Sequence, residues 1–136
     1  MPRKNKDGAG IVVFRETEGD NQVLILLKKN GTFDIPKGHC DNTDFDKFST
    51  AQRECFEETQ IFVTLADVIT DDFYEDRGMT IFCAITDQEP VIEKNPVSGK
   101  LEHVDFYWVS PHTAIKVLPG YLSDAVLWSL KYTDNT

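Results

Sequence analysis

Near residue 46 the hydrophobic period of this chain changes, and that change constrains the architecture more than any other feature. Before it, "AGIVVFRE" (9–16) and "VLILLKK" (23–29) are β-branched or aliphatic runs of strand type, joined by the turn-like "TEGDNQ". "NGT" (30–32) marks a turn between extended stretches, and "FDIPKGHCDNTD" (33–44), rich in Gly, Pro, Asn and Asp, predicts a loop after a short strand. From about Asp46 to Thr59 the spacing becomes helical. Phe48, Ala51 and Cys55, with Gln52, fall on one stripe, and Glu54, Glu57 and Glu58 on another.

Strand character then returns in "IFVTLADVI" (61–69), "FYEDRGMTIFCAIT" (73–86) and "HVDFYWVS" (103–110). The intervening "DQEPVIEKNPVSGK" (87–100) reads as an exposed excursion. "SPHTAIKVLPGY" (110–121) opens as a short helix and closes on Pro-Gly. "LSDAVLWSLKY" (122–132) is amphipathic, with Leu122, Ala125, Val126, Trp128 and Leu130 as core candidates. Strands, one acidic helix, more strands and one or two closing helices make an α/β domain, its helices packed on a largely antiparallel or mixed sheet.

At 136 residues the chain fits one domain spanning 1–136, and no repeat or linker divides it. Its formal net charge of −9 argues against a broad nucleic-acid surface, which needs basic residues to neutralise phosphates. A phosphorylated substrate remains compatible if a divalent cation mediates the contact. Cys40, Cys55 and Cys83 form no metal-binding or disulfide pattern, so reduced thiols and a cytoplasmic location are expected. "VLILL" is too short to span a bilayer, and no membrane association is expected.

The acidic stripe calls for an explanation. Like charges one helical turn apart repel by roughly a few tenths of a kcal/mol. Either "RECFEE" is a solvated face, or Glu54, Glu57 and Glu58 converge on a cation. Three convergent carboxylates suit a hard, oxygen-loving ion such as Mg²⁺, which keeps several waters and takes phosphate oxygens as its remaining ligands. Arg53 stands beside them and can fix a carboxylate rotamer.

The preceding "PKGH" (36–39) decides between these readings. From Gly38 to Ile61 the sequence resembles a Nudix box, G-x5-E-x7-R-E-U-x-E-E-x-G-U with U aliphatic: Gly38, Arg53, Glu54, Glu57, Glu58 and Ile61 match. Three departures accompany the match. The Gly38–Arg53 interval is one residue longer, and Asp44, or else Asp46, stands in for the loop Glu. Cys55 replaces an aliphatic residue and Gln60 the closing Gly.

The resemblance implies a Nudix-type α/β/α sandwich with a mixed sheet, and hydrolysis of a nucleoside diphosphate linked to another moiety. It implies Mg²⁺, with Mn²⁺ as the alternative, held at Gly38, Glu54, Glu57 and Glu58. It makes Arg53 part of the catalytic set and leaves two candidates for the base, Glu57 and Glu102; Glu102 reads equally well as a strand-edge charge. Lys37 and His39 are candidate phosphate or nucleotide contacts, or ordinary loop residues.

"FDIPKGHCD" with "LEHVDFYWVS" is similar to the asymmetric diadenosine tetraphosphate hydrolases of this family. There, an aromatic beyond the box stacks on adenine. Phe82 holds the matching position, with core packing as its alternative role. A small nucleotide is the implied partner; the oligomeric state is left open. Decapping, diphosphoinositol hydrolysis and a non-catalytic nucleotide-binding module are the competing functions on the same scaffold.

Overall fold

The computed structural model describes residues 7–93, 99 and 101–133. Strands β1 (Gly8–Thr17) and β2 (Asp20–Lys28) form a hairpin whose two turn residues, Glu18 and Gly19, both have positive φ, 53° and 85°. That geometry matches the natural twist of the strands it joins. The two strands pair only where Phe14–Thr17 meet Asp20–Val23, and then they part.

Two short strands fill the gap. β3 (Phe33–Asp34) pairs with Leu26 and Leu27 of β2, and β4 (Lys37–His39) with Gly8–Gly10 of β1. Register fixes the sides. Leu26 and Leu27 also pair with Phe106 and Asp105 of β7 (His103–Val109), so β3 must take the opposite edge of β2. Gly8–Gly10 also pair with β6 (Met79–Ile85), so β4 lies on the β2 side of β1. The segment expected to be loop is therefore stitched into the split hairpin.

β5 (Tyr74–Asp76) pairs antiparallel with β6, while β1 and β6 run parallel; the sheet is mixed. Alternation along the strands serves both faces. Ile11, Val13, Leu24 and Leu26 face α1 (Lys47–Thr59), where they meet Ala51 and Cys55. Val12, Phe14, Val23 and Ile25 face α2 (Pro111–Val117) and α3 (Gly120–Thr133), where they meet Ala114, Leu122, Ala125 and Val126. The result is the α/β/α sandwich that the motif implied. No helix among the described residues is long and apolar enough to cross a membrane.

Two sequence expectations are corrected. Residues 61–69 are not a strand: they hold a 3₁₀ turn at Leu65–Asp67 and a single bridge, Val68 to Ala84. Ile61 and Val63 are buried as a strand pattern would have them, but side chains satisfy the backbone in place of a neighbouring strand. Gln88 donates to Phe62 O and accepts from Phe62 N, both at 3.0 Å, and Gln52 donates to Val63 O at 2.7 Å. Residues 73–86 are a hairpin, turning at Arg77 (φ 50°) and Gly78 (φ 88°). Of the 87–100 excursion, 94–98 and 100 lie outside the described residues.

Helix α1 starts at Asp46, whose carboxylate accepts from Ser49 N at 2.8 Å, and stops at Gln60, which is left-handed (φ 62°). A side chain there costs about 1 kcal/mol or somewhat more, which Gly avoids. Gln60→Gly is therefore expected to stabilise the fold by up to about 1 kcal/mol in urea unfolding. A lower unfolding midpoint would show that the Gln60–Glu93 hydrogen bond, 2.8 Å, outweighs the backbone strain.

Candidate active site

Of the box residues, Gly38, Arg53, Glu54 and Glu58 line one cleft of about 680 Å³ between α1, β4 and the start of β7, while Glu57 is not among its lining residues. Its closest contact explains a residue type. A Cβ on Gly38 would run into the Glu54 carboxylate, so glycine is what leaves that carboxylate room to lie against β4. Glu58 is pinned to the same strand, accepting from Lys37 N at 3.1 Å.

The crowding is visible in the proton affinities. Burial pushes Glu54 up to about 7; the Arg53 charge opposes this, while Glu57 and Glu102 add to it. Burial also pushes Glu58 well above the usual carboxylate range, reinforced by Glu54, Asp34 and Glu102. Glu102, an exposed residue that lines the same cleft, thus acts on both glutamates.

Hard oxygen donors packed at this density fit a divalent cation, which would relieve their repulsion. Among the described residues no three His, Cys, Asp or Glu side chains form a ready cage. Arg53 Nη1 draws Glu54 (3.0 Å) and Glu57 (3.3 Å) towards itself. Mg²⁺ is seldom held by an all-protein cage; one or two carboxylates, waters and substrate phosphates complete its shell.

Arg53 also organises the loop. Its Nε and Nη2 both donate to the Asp44 carboxylate at 2.9 Å, and Nη2 donates to His39 O at 3.0 Å. Asp44 accepts as well from Asp41 N and Thr50 Oγ1, each at 2.8 Å. The Arg53 hydrogen bonds hold its carboxyl well below the usual range, against some desolvation. Asp44 keeps the G-x5 spacing from Gly38, so the extra residue falls between Asp44 and Arg53. There Phe45 is 91% exposed and Asp46 is occupied as the helix cap.

Lys37 and His39 both line the cleft, but Lys37 is not a free lysine. Its ammonium lies 3.2 Å from Asp34 Oδ1, and Asp34 Oδ2 lies 3.1 Å from His103 Nε2. Burial pushes Asp34 up, yet the His103 hydrogen bond and the Lys37 charge more than reverse it, leaving Asp34 below its ordinary value. Asp34 and His103 escaped the sequence reading. The available signal was a charged residue inside the apolar strand "FDI" and a His at the start of a strand.

Phe82, like Glu57, is not among the residues that line the cleft. Its ring packs edge-on against Phe48 (centroids 5.4 Å) and near Phe73 (6.1 Å) on the α1 side of the sheet. Of its two readings this placement corresponds to core packing.

A mixed sheet lies between α1 and the α2–α3 pair, and a glutamate-bearing helix closes onto a glycine strand over a polar cleft, the layout of a Nudix-type sandwich hydrolase. The NUDIX domain model matches residues 4–128, and the chain belongs to that family as a Nudix pyrophosphohydrolase. A C. elegans Ap4A hydrolase in a binary complex is 22% identical with a TM-score of 0.67, over 93% of this chain and 96% of that one. The NUDIX domain of Shewanella oneidensis NrtR, complexed with ADP ribose, superposes with a TM-score of 0.74 at 14% identity, over 97% and 90% of the two chains. The E. coli dihydroneopterin triphosphate pyrophosphohydrolase gives 0.63 at 16% identity, over 89% and 92%. Identities this low speak for the fold. No curated protein sequence matches the chain.

Proposed function

We propose that this protein is a Mg²⁺-dependent hydrolase of a phosphoanhydride in a nucleoside diphosphate-linked substrate. We assign it a dinucleoside polyphosphate, such as diadenosine tetraphosphate, with ATP and AMP as products. The observation that carries the reading is the meeting of Glu54, Glu58 and Glu102 over Gly38 in one cleft. The P-K-G-H and L-E-H segments, both on that cleft, support the substrate, as does the fold shared with the C. elegans Ap4A hydrolase.

Glu54, Glu57 and Glu58 would hold the cation, with Gly38 giving it room beside the strand. Bound there, Mg²⁺ supplies charge screening for the phosphates and an acidified water. Glu102 is the base in this reading: it lines the same cleft as Glu54 and Glu58, where it would take the proton of an attacking water. Arg53 acts as a positioning residue, holding Glu54 and Glu57 through its Nη1. Lys28, whose ammonium has no ion-pair partner among the described residues, and His39 are placed to meet phosphates farther along the chain.

The test is a substrate panel with Mg²⁺, and with EDTA as control: diadenosine tetraphosphate, ADP-ribose, 8-oxo-dGTP, a diphosphoinositol phosphate and a capped RNA, products resolved by chromatography. ATP plus AMP is the expected result. Preferential cleavage of another member replaces the substrate assignment, and cleavage of none replaces hydrolysis by nucleotide binding.

A further inference from the structure

We propose that Asp34 and His103 are positioning residues, a buried brace that aims the Lys37 ammonium at the phosphate chain in the cleft. The inference rests on the phosphoanhydride reading above and adds to it two residues outside the box. Both side chains are almost fully enclosed, at 6% and 5% exposure, and both line the cleft floor. Asp34 joins the two sides: its Oδ2 meets His103 Nε2 at 3.1 Å, the Lys37 ammonium straddles Oδ1 (3.2 Å) and Oδ2 (3.5 Å), and Oδ1 also accepts from Ile35 N at 2.9 Å.

The strand register shows that this contact is built. Along β7 the pairing with β2 runs Leu26 to Phe106 and Leu27 to Asp105, then jumps to Lys28 and His103, so Val104 is an extra residue. In a regular strand His103 and Phe106, three apart, would point to opposite faces. The bulge turns His103 onto the face of Phe106 and Leu26, and Asp34, which also pairs with Leu26, stands on that face. Bulges of this kind re-aim a side chain at the expense of ladder hydrogen bonds. The contact is additional to strand pairing, because β3 and β7 are each already paired with β2.

The target of the brace is clear from its third member. Lysine is a flexible point charge that loses much rotamer freedom when it binds a phosphate. Held by Asp34, the Lys37 ammonium is ordered in advance. The same residue's main-chain N–H meets Glu58, so one short strand fixes both a cationic contact and a metal-facing carboxylate.

The experiment is a double-mutant cycle on the wild-type enzyme, with kcat and KM measured for whichever panel member it cleaves. Asp34→Asn is expected to lower kcat about tenfold with KM unchanged or lower, since orientation is lost while a repelling charge is removed. In a Lys37→Met background the same change should alter kcat less than about twofold, because its target is gone. His103→Gln, which keeps an N–H for Asp34, should recover most of what His103→Leu loses.

Independent, multiplying effects of the Asp34 and Lys37 changes would overturn the brace, as would a lower Tm with kcat intact. If the wild type cleaves nothing, the functional reading fails on that result alone. The brace is then judged by acetic anhydride labelling of Lys37 against exposed Lys29, read by mass spectrometry. Inorganic tripolyphosphate should protect Lys37 in the wild type and less so in Asp34→Asn; equal protection in both would sink the proposal.

Discussion

Glu58→Gln is expected to lower kcat by about three orders of magnitude and, in the same protein without metal, to raise Tm. The loss follows from removing one anionic ligand, since metal charge stabilisation amounts to several kcal/mol and each 1.36 kcal/mol is tenfold in rate. The gain follows from linkage. Burial raises the Glu58 carboxyl above its unfolded value, so the folded chain binds the proton more tightly than the unfolded chain. Stability is therefore lost as pH rises from the unfolded value, about 4.3, towards the raised folded one. Glu54, raised to about 7, adds to the loss over the same window. Gln mimics the neutral carboxyl and is spared its share of that cost. Thermal melts from pH 5 to 8, with EDTA and with Mg²⁺, test this: metal should stabilise the wild type more than the variant. A variant that turns over normally would remove Glu58 from the metal site.

Arg53→Lys should be nearly as damaging, by a different route. Its guanidinium makes two parallel bonds to Asp44 and still reaches His39 O, Glu54 and Glu57, a fork that one ammonium cannot reproduce. A fall in kcat of about a hundredfold is expected from the loosened loop and glutamates. Stability should fall by about 1–3 kcal/mol, the range for a charge-assisted hydrogen bond left unmade. The Asp44 carboxyl is depressed in the folded state, so its stabilisation is full above the unfolded value near 3.9 and is lost as pH falls below it. Urea unfolding from pH 6 down to 3 should show that slope in the wild type and a shallower one in Arg53→Lys. Equal slopes would mean that Asp44 gains little from the pairing.

The sequence was most legible where one physical signal acted alone. Strands β1 and β2, helices α1 and α3, and the left-handed stop at Gln60 follow from local period and motif spacing. The failures arose where a local pattern was satisfied by distant partners. Ile61 and Val63 alternate like a strand, but the Gln52 and Gln88 side chains take the backbone groups that a neighbouring strand would have taken. Arg77–Gly78 turns a run that hydropathy alone reads as continuous. In the site, Arg53 and the glutamates announced themselves by spacing on one helix. Asp34 and His103 lie 69 positions apart and meet only because of a bulge, which no local pattern encodes. Phe82 shows the converse: an aromatic on a strand carries no mark of which neighbours it will face.

The split hairpin bears on how this chain tolerates change in length. Lys37, Gly38 and His39 are held by β1 on one flank and by α1 on the other, and Arg53 grips the segment again at Asp44. An added residue within β4 would have to shift the pleat and turn the chemistry away from the helix. Past Asp44 the chain reaches an expansion joint, where exposed Phe45 precedes the cap at Asp46. Slack taken up there leaves Gly38 and Glu54 in touch, so insertions should accumulate at this one place while the seam before it keeps its length.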